Sequence, residues 1–143
     1  SMVADLSLSD LMIKNPITAG PDDDVEAAAR VIYHRKIGGL PVVDKKNKLV
    51  GILTVIDILR SFIEMMGLLT ESTRLDIDIG EDPEAVNRAV SAITSAGGRI
   101  LSIAVAAHRK DRNILYFRIA PENGGEVAKA LQQEGFAIVG GTQ

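Results

Sequence analysis

The stretch from Ile37 to Asp57 constrains this chain most. It runs Ile37-Gly38-Gly39-Leu40-Pro41-Val42-Val43-Asp44, then a Lys/Asn-rich turn, then Leu49-Val50-Gly51-Ile52-Leu53-Thr54-Val55-Ile56-Asp57. Two short apolar runs flank the polar residues Asp44 to Lys48, the pattern of strand, turn and strand. The second run stops at Thr54, and a helical period follows through Ile56, Leu59, Ile63 and Met66. Thr54 and Asp57 have the spacing of a capping box, with a hydroxyl at the N-cap and a carboxylate three residues on. A helix N-terminus thus follows a buried strand directly, and its N–H groups can receive an anion.

The residues before this stretch supply a first strand and helix. Asp10 to Met12 begin a helical turn that Pro16 stops, because proline disfavours the helical region for Asn15. Ile17-Thr18-Ala19 is a brief extended piece before the Gly20-Pro21 turn. Asp23 at the N-cap with Glu26 at N3 predicts another capping box. The three carboxylates Asp22, Asp23 and Asp24 suit the positive end of a helix dipole. A metal site is the sharper reading, but adjacent carboxylates point in different directions, so capping is preferred. The helix from Asp24 to about Lys36 carries Val25, Ala28, Ala29 and Ile32 on one face. Ile37-Gly38-Gly39 ends it, a glycine taking the left-handed conformation. Met65 to Leu69 close the second helix. The order is β-α-β-β-α, one sheet face being covered by two helices.

Thr70 to Thr73 read as a polar linker, and the pattern restarts beyond it. Leu75, Ile77 and Ile79 alternate with Arg74, Asp76 and Asp78, as in a half-buried strand. Asp82 as N-cap with Pro83 at the first helical position starts a helix. Its apolar face is Val86, Ala89, Val90 and Ile93, and Gly97-Gly98 ends it. Arg99 to Ala106 and Asn113 to Ile119 are strands around a charged turn, His108 to Arg112. Pro121 to Gly125 lead into a helix with Val127, Ala130 and Leu131 on one face, and Phe136 to Val139 form a last strand. The order β-α-β-β-α-β is ferredoxin-like. The expected organisation is a mixed α/β (α+β) chain: residues 1–9 a tag scar and N-terminal linker, 10–69 a first domain, 70–73 a linker, 74–143 a second domain. Ser1-Met2 reads as that scar before an internal start, so the chain is expected to be a fragment.

Gly38-Gly39-Leu40-Pro41-Val42-Val43-Asp44 followed by Leu49-Val50-Gly51-Ile52-Leu53-Thr54-Val55-Ile56-Asp57-Ile58-Leu59 closely resembles a CBS domain, a regulatory module. The resemblance begins at Asp10-Leu11-Met12 and Asn15-Pro16-Ile17-Thr18 and covers roughly residues 10–66. It implies an adenine nucleotide, AMP, ADP or ATP, as regulatory ligand. It further implies that Thr54 contacts a phosphate and Asp57 the ribose hydroxyls. Ile17, Thr18 and the backbone from Gly38 through Gly39 and Leu40 to Pro41 would flank the adenine. Beside this stands the simpler reading, in which Thr54 and Asp57 only cap their helix and Gly38-Gly39 only make a turn. The cluster His34, Arg35 and Lys36 suits a helix C-terminus; the alternative is that Arg35 or Lys36 reaches a polyphosphate.

A β-α-β-β-α-β domain behind a CBS domain resembles an ACT domain, a small-molecule-binding regulatory fold. The whole resembles the C-terminal part of CBS-CBS-ACT proteins of the acetoin-utilisation type. That resemblance implies a ligand at the loop from Gly80 through Asp82, although this acidic loop departs from the Pro-Gly type, and a capped helix start is the preferred reading. CBS domains work in pairs (a Bateman module), and one CBS pattern appears here, so a homodimer or a further copy is expected. An unpaired sheet edge argues physically for association too.

The rest of the sequence narrows the function by what it lacks. Net charge is −3 with five aromatic side chains, and no basic stripe marks a nucleic-acid surface. There is no cysteine, hence no thiol catalysis, disulfide or Cys-type zinc site. The two histidines, His34 and His108, fall in different domains by this parse, so a metal site is not expected. No apolar run approaches the roughly eighteen residues of a membrane span. No dinucleotide, P-loop, serine-hydrolase or zincin motif occurs. The expectation is a cytoplasmic, non-catalytic regulatory protein, with a ligand-free dimerisation scaffold as the alternative.

Overall fold

The computed structural model of the protein describes residues 5–106, 108 and 110–142. The expected scar at Ser1-Met2 and part of the His108 to Arg112 turn lie outside them. The chain divides into two compact units, Ser1–Ser61 and Phe62–Gln143.

In the first unit, α1 (Leu8–Leu11) is a single turn. It starts earlier than the Asp10 expected and ends well before Pro16, because Asp10 folds back to accept the Ser7 N–H at 2.8 Å. The extended piece around Ala19 makes a parallel bridge to Val42. Helix α2 (Val25–Arg35) follows. Its N-cap is Asp24, which accepts the Glu26 N–H at 2.9 Å, and not the expected Asp23. Asp23 instead closes the preceding turn by accepting the Gly20 N–H at 2.8 Å. A run of three aspartates carries the same capping signal at each position, and turn geometry chose between them.

The end of α2 corrects a second expectation. Lys36, with φ 53°, takes the left-handed position, and neither Gly38 nor Gly39 does. The Ile37 N–H reaches back to the Ile32 carbonyl at 3.2 Å, the bond of a Schellman turn. Strands β1 (Gly39–Val43) and β2 (Leu49–Thr54) then form the expected hairpin. Asp44 accepts the N–H groups of Lys46 and Lys48, both at 2.9 Å, which closes the turn. Helix α3 (Val55–Met65) starts directly after Thr54. The core of this unit is small: Ala28, Ile32, Leu40 and Ile58, with Ala19, Ala29, Val31, Ile37 and Leu53 packed around them.

In the second unit β3 (Thr73–Asp78), α4 (Ala85–Ser95), β4 (Ile100–Val105), β5 (Ile114–Ile119), α5 (Gly124–Gln133) and β6 (Ala137–Thr142) follow one another. The sheet order is β4-β5-β3-β6 and each pairing is antiparallel, the ferredoxin-like arrangement. Its core joins Leu75, Ile77, Phe117 and Ile119 of the sheet to Ala85, Ala89, Ile93, Val127 and Leu131 of α4 and α5. Helix α4 begins two residues later than expected, with Glu84 and not Asp82 at the N-cap. Asp82 still serves the turn, accepting the Glu84 N–H at 2.9 Å and pairing with Arg88 at 2.8 Å.

Asp76 departs from the half-buried strand pattern. It alternates away from the helices, as expected, yet is only 9% exposed. Arg74 holds it through two bonds of 2.8 and 3.1 Å. Gly140 lies opposite it in the register, so β6 places no side chain over the carboxylate at that position.

Candidate functional site

The site begins with backbone. The β1–β2 register sets Gly39 against Thr54, and the Val55 N–H donates to the Gly38 carbonyl at 3.2 Å. A Cβ on Gly39 would lie 2.9 Å from the Leu53 carbonyl oxygen, so glycine permits this approach. Around Gly38 the space is open. On the other side of β1, the Ala19 N–H donates to the Pro41 carbonyl at 3.0 Å and the Val43 N–H to Ala19 at 2.8 Å. Ile17 and Thr18 precede that bridge and are exposed. The strand pairing thus gathers Gly38, Gly39, Pro41, Thr54 and Asp57 and brings the Ile17-Thr18 segment to the neighbouring edge. Leu40 differs in kind: its side chain is 1% exposed in the core, so only its backbone is available to a ligand.

At the start of α3 the capping box is formed. Asp57 Oδ2 accepts the Thr54 N–H at 2.8 Å and its hydroxyl at 2.7 Å. The Asp57 N–H donates to Thr54 Oγ1 at 3.3 Å. The Thr54 hydroxyl and then its N–H hold the Asp57 carboxyl below its ordinary value, against a smaller upward push from burial, with Arg60 adding to the lowering. The sign follows from linkage. A depressed folded value stabilises the native state fully above the unfolded carboxyl value of about 4, and the contribution disappears as pH falls through the lower folded value. Chain unfolding followed against pH is therefore expected to show a stability loss below about pH 4 that is smaller in Asp57→Asn. Equal acid sensitivity in both proteins would remove Asp57 from that role.

Lys36 stands apart from the rest. It lines a cleft of about 570 Å³ between α2 and α3 with Ala29, Ile32, Tyr33, His34, Ile37, Val55 and Ile58. Neither Thr54 nor Asp57 lines that cleft. In the second unit, Gly80 (φ 62°) borders a cavity of about 300 Å³ with Asp78, Lys110 and Arg112. Asp82 does not line it, since both its oxygens are engaged by Glu84 and Arg88. Among the described residues no three His, Asp or Glu side chains converge as a metal site. Among the described residues no helix is long and apolar enough to cross a membrane.

One cluster has no counterpart in the sequence reading. Arg74 lies over the Tyr116 ring at 4.8 Å, and Tyr116 Oη is 3.4 Å from His108 Nε2. The i, i+2 spacing of Arg74 and Asp76 was the available signal; Tyr116 and His108 come from a strand and turn some forty residues on, visible only once the strands pair.

The profile of the CBS domain family matches residues 8–64. Residues 8–64 are a CBS domain. A homoserine O-acetyltransferase of Methanohalobium evestigatum is 41% identical over 54 residues, 38% of this chain and 11% of the relative. An inosine-5'-monophosphate dehydrogenase of Aquifex aeolicus is 51% identical over 43 residues, 30% of this chain and 9% of the enzyme. A CBS domain-containing protein of Dictyostelium discoideum is 37% identical over 59 residues, 41% of each chain. The solved complex of CBSX2 with AMP is 37% identical, covers 40% of this chain and 42% of that one, and has a TM-score of 0.39. The chain therefore spans about a tenth of the two enzymes' length.

Proposed function

We propose that this chain is a non-catalytic, cytoplasmic ligand-sensing protein whose CBS domain binds an adenine nucleotide, AMP, ADP or ATP. The observation that carries the reading is the strand pairing that sets the Gly38-Gly39 backbone beside Thr54 at the start of α3. Phosphate would meet Thr54 and the first N–H groups of α3. Asp57 would accept from the ribose hydroxyls. The adenine would lie against Ile17, Thr18 and the backbone of Gly38, Leu40 and Pro41. Lys36, exposed at the end of α2, would reach a polyphosphate. The second domain is read as ACT-like, serving dimerisation or small-molecule sensing, with Gly80 and Asp82 of the loop before α4 as its ligand-binding residues. Its boundary is placed at 70–73, and the acetoin-utilisation type of protein is the proposed setting.

A homodimer belongs to this reading. Ile52 of β2 and Val55 and Leu59 of α3 are large, apolar and exposed. Strand β4 is an edge of its sheet and leaves Ile103 and Val105 exposed without a charged residue in its length. The second reading, a scaffold without ligand, is favoured by one fact: Thr54 and Asp57 already satisfy each other.

Isothermal titration of AMP, ADP and ATP, with Asp57→Ala alongside, separates the two. Saturable binding that weakens by about tenfold or more in the mutant supports the sensor. Binding that Asp57→Ala leaves intact moves the site elsewhere. A sample that sediments as a dimer and takes up none of the three is the scaffold.

A further inference from the structure

The geometry points to an oxyanion site on the face of the second unit's sheet opposite α4 and α5, formed by Arg74, Arg118 and the Ser72 hydroxyl. It lies outside the CBS domain and does not depend on the nucleotide reading. The β3–β5 register sets Arg74 directly against Arg118. Like charges opposite each other weaken an antiparallel pair, so the placement calls for compensation. Arg74 has it. Asp76 binds its Nε and Nη2, and the Tyr116 ring lies beneath its guanidinium. Those contacts also fix the orientation of the fork.

Arg118 lacks an equivalent. Its hydrogen bond among the described residues runs from Nη1 to Ser72 Oγ at 3.0 Å, a neutral partner. The ion pairs among the described residues join Arg74 to Asp76 and Arg88 to Asp82. Asp78, farther along β3, accepts from the Gly80 N–H. Glu71 is exposed and pairs with neither arginine among the described residues. Two guanidinium groups against one carboxylate leave an uncompensated positive charge on this part of the face. Both arginines are half-buried, where screening by salt is weaker than in open solvent. A forked guanidinium matches the paired oxygens of a carboxylate or phosphate. Ser72 and Arg74 also line a cavity of about 620 Å³ that runs toward Pro121, Gly124 and Gly125 at the start of α5; Arg118 does not line it. The ligand class is a small molecule bearing a carboxylate or a phosphate.

The test is a ¹⁵N NMR titration of the full chain with inorganic phosphate and, separately, malonate, at ionic strength matched with chloride. Saturable shifts are expected at Ser72, Arg74 and Arg118. Arg118→Gln should weaken them by about tenfold or more. Arg118→Lys should fall between, keeping the charge but not the fork. Asp57→Ala should leave them unchanged, which separates this site from a nucleotide site in the CBS domain. Shifts with phosphate alone identify a phosphate ligand, with malonate alone a carboxylate, and with both an oxyanion in general. No saturable shift with either anion, or shifts that survive Arg118→Gln at full size, overturns the assignment.

Discussion

Phe117→Ala is expected to remove about 3–5 kcal/mol from the second unit, the cost of emptying a fully buried aromatic site. Phe117 has no exposed surface and belongs to the central strand pair of the sheet. The register sets Leu75 of β3 on one side of it and Ile103 of β4 on the other. Its cluster takes in Ile93 of α4 and Val127 and Leu131 of α5. The substitution therefore leaves a cavity between sheet and helices where close-packed neighbours relax only in part. A domain is commonly stable by about 5–15 kcal/mol in total, so this loss is a large share. Urea unfolding of the purified protein reads it directly, and a shift worth less than about 1 kcal/mol would show that the helices do not rest on Phe117 as described.

Much of this architecture was legible because local chemistry and tertiary need agree. Asp44 and Lys48 bracket the hairpin turn, Thr54 and Asp57 mark the start of α3, and alternation in β3 separates Leu75 and Ile77 from Arg74 and Asp76. The errors fall where one signal served two ends. Gly38-Gly39 suggested a left-handed helix end, but that position went to Lys36, because Ile37 must turn back into the core. The glycines serve the close approach of β1 to the start of α3 instead. Asp22, Asp23 and Asp24 are alike as caps in sequence and unlike in space. The burial of Asp76 could not be read, since Tyr116 and Gly140 meet it only after three strands pair.

The candidate site divides along the same line. The residues gathered by β1–β2 pairing were visible as neighbours in sequence or across one short hairpin. Lys36 and Asp82 came with the family resemblances; Lys36 is exposed at the end of α2 and borders the α2–α3 cleft, and Asp82 pairs with Arg88. The Arg74–Arg118 pair was out of reach for the opposite reason, being neighbours in the sheet and far apart along the chain.

Leu40→Ala is expected to unfold the first unit while the second stays folded. Among the described residues Leu40 is the most buried side chain there, 1% exposed, and one of four buried apolar residues of the unit's core. It lies across from Leu53 in the hairpin and packs with Ala28 and Ile32 of α2 and Ile58 of α3. Truncating such a leucine costs about 2–5 kcal/mol. A unit of this size buries too little surface to absorb that loss with margin. The two units have separate cores, so the damage should not spread. Hydrogen exchange read by mass spectrometry is the appropriate measurement: protection over residues 25–60 should fall, and protection over 73–142 should remain. Leu40→Met, which conserves volume, should cost less than about 1.5 kcal/mol and keep both patterns. Loss of protection across the whole chain would mean that the units fold as one. The comparison also fixes how Leu40 belongs to the nucleotide site. If Leu40→Met binds nucleotide as the unaltered protein does, Leu40 contributes through its backbone, as its buried side chain requires.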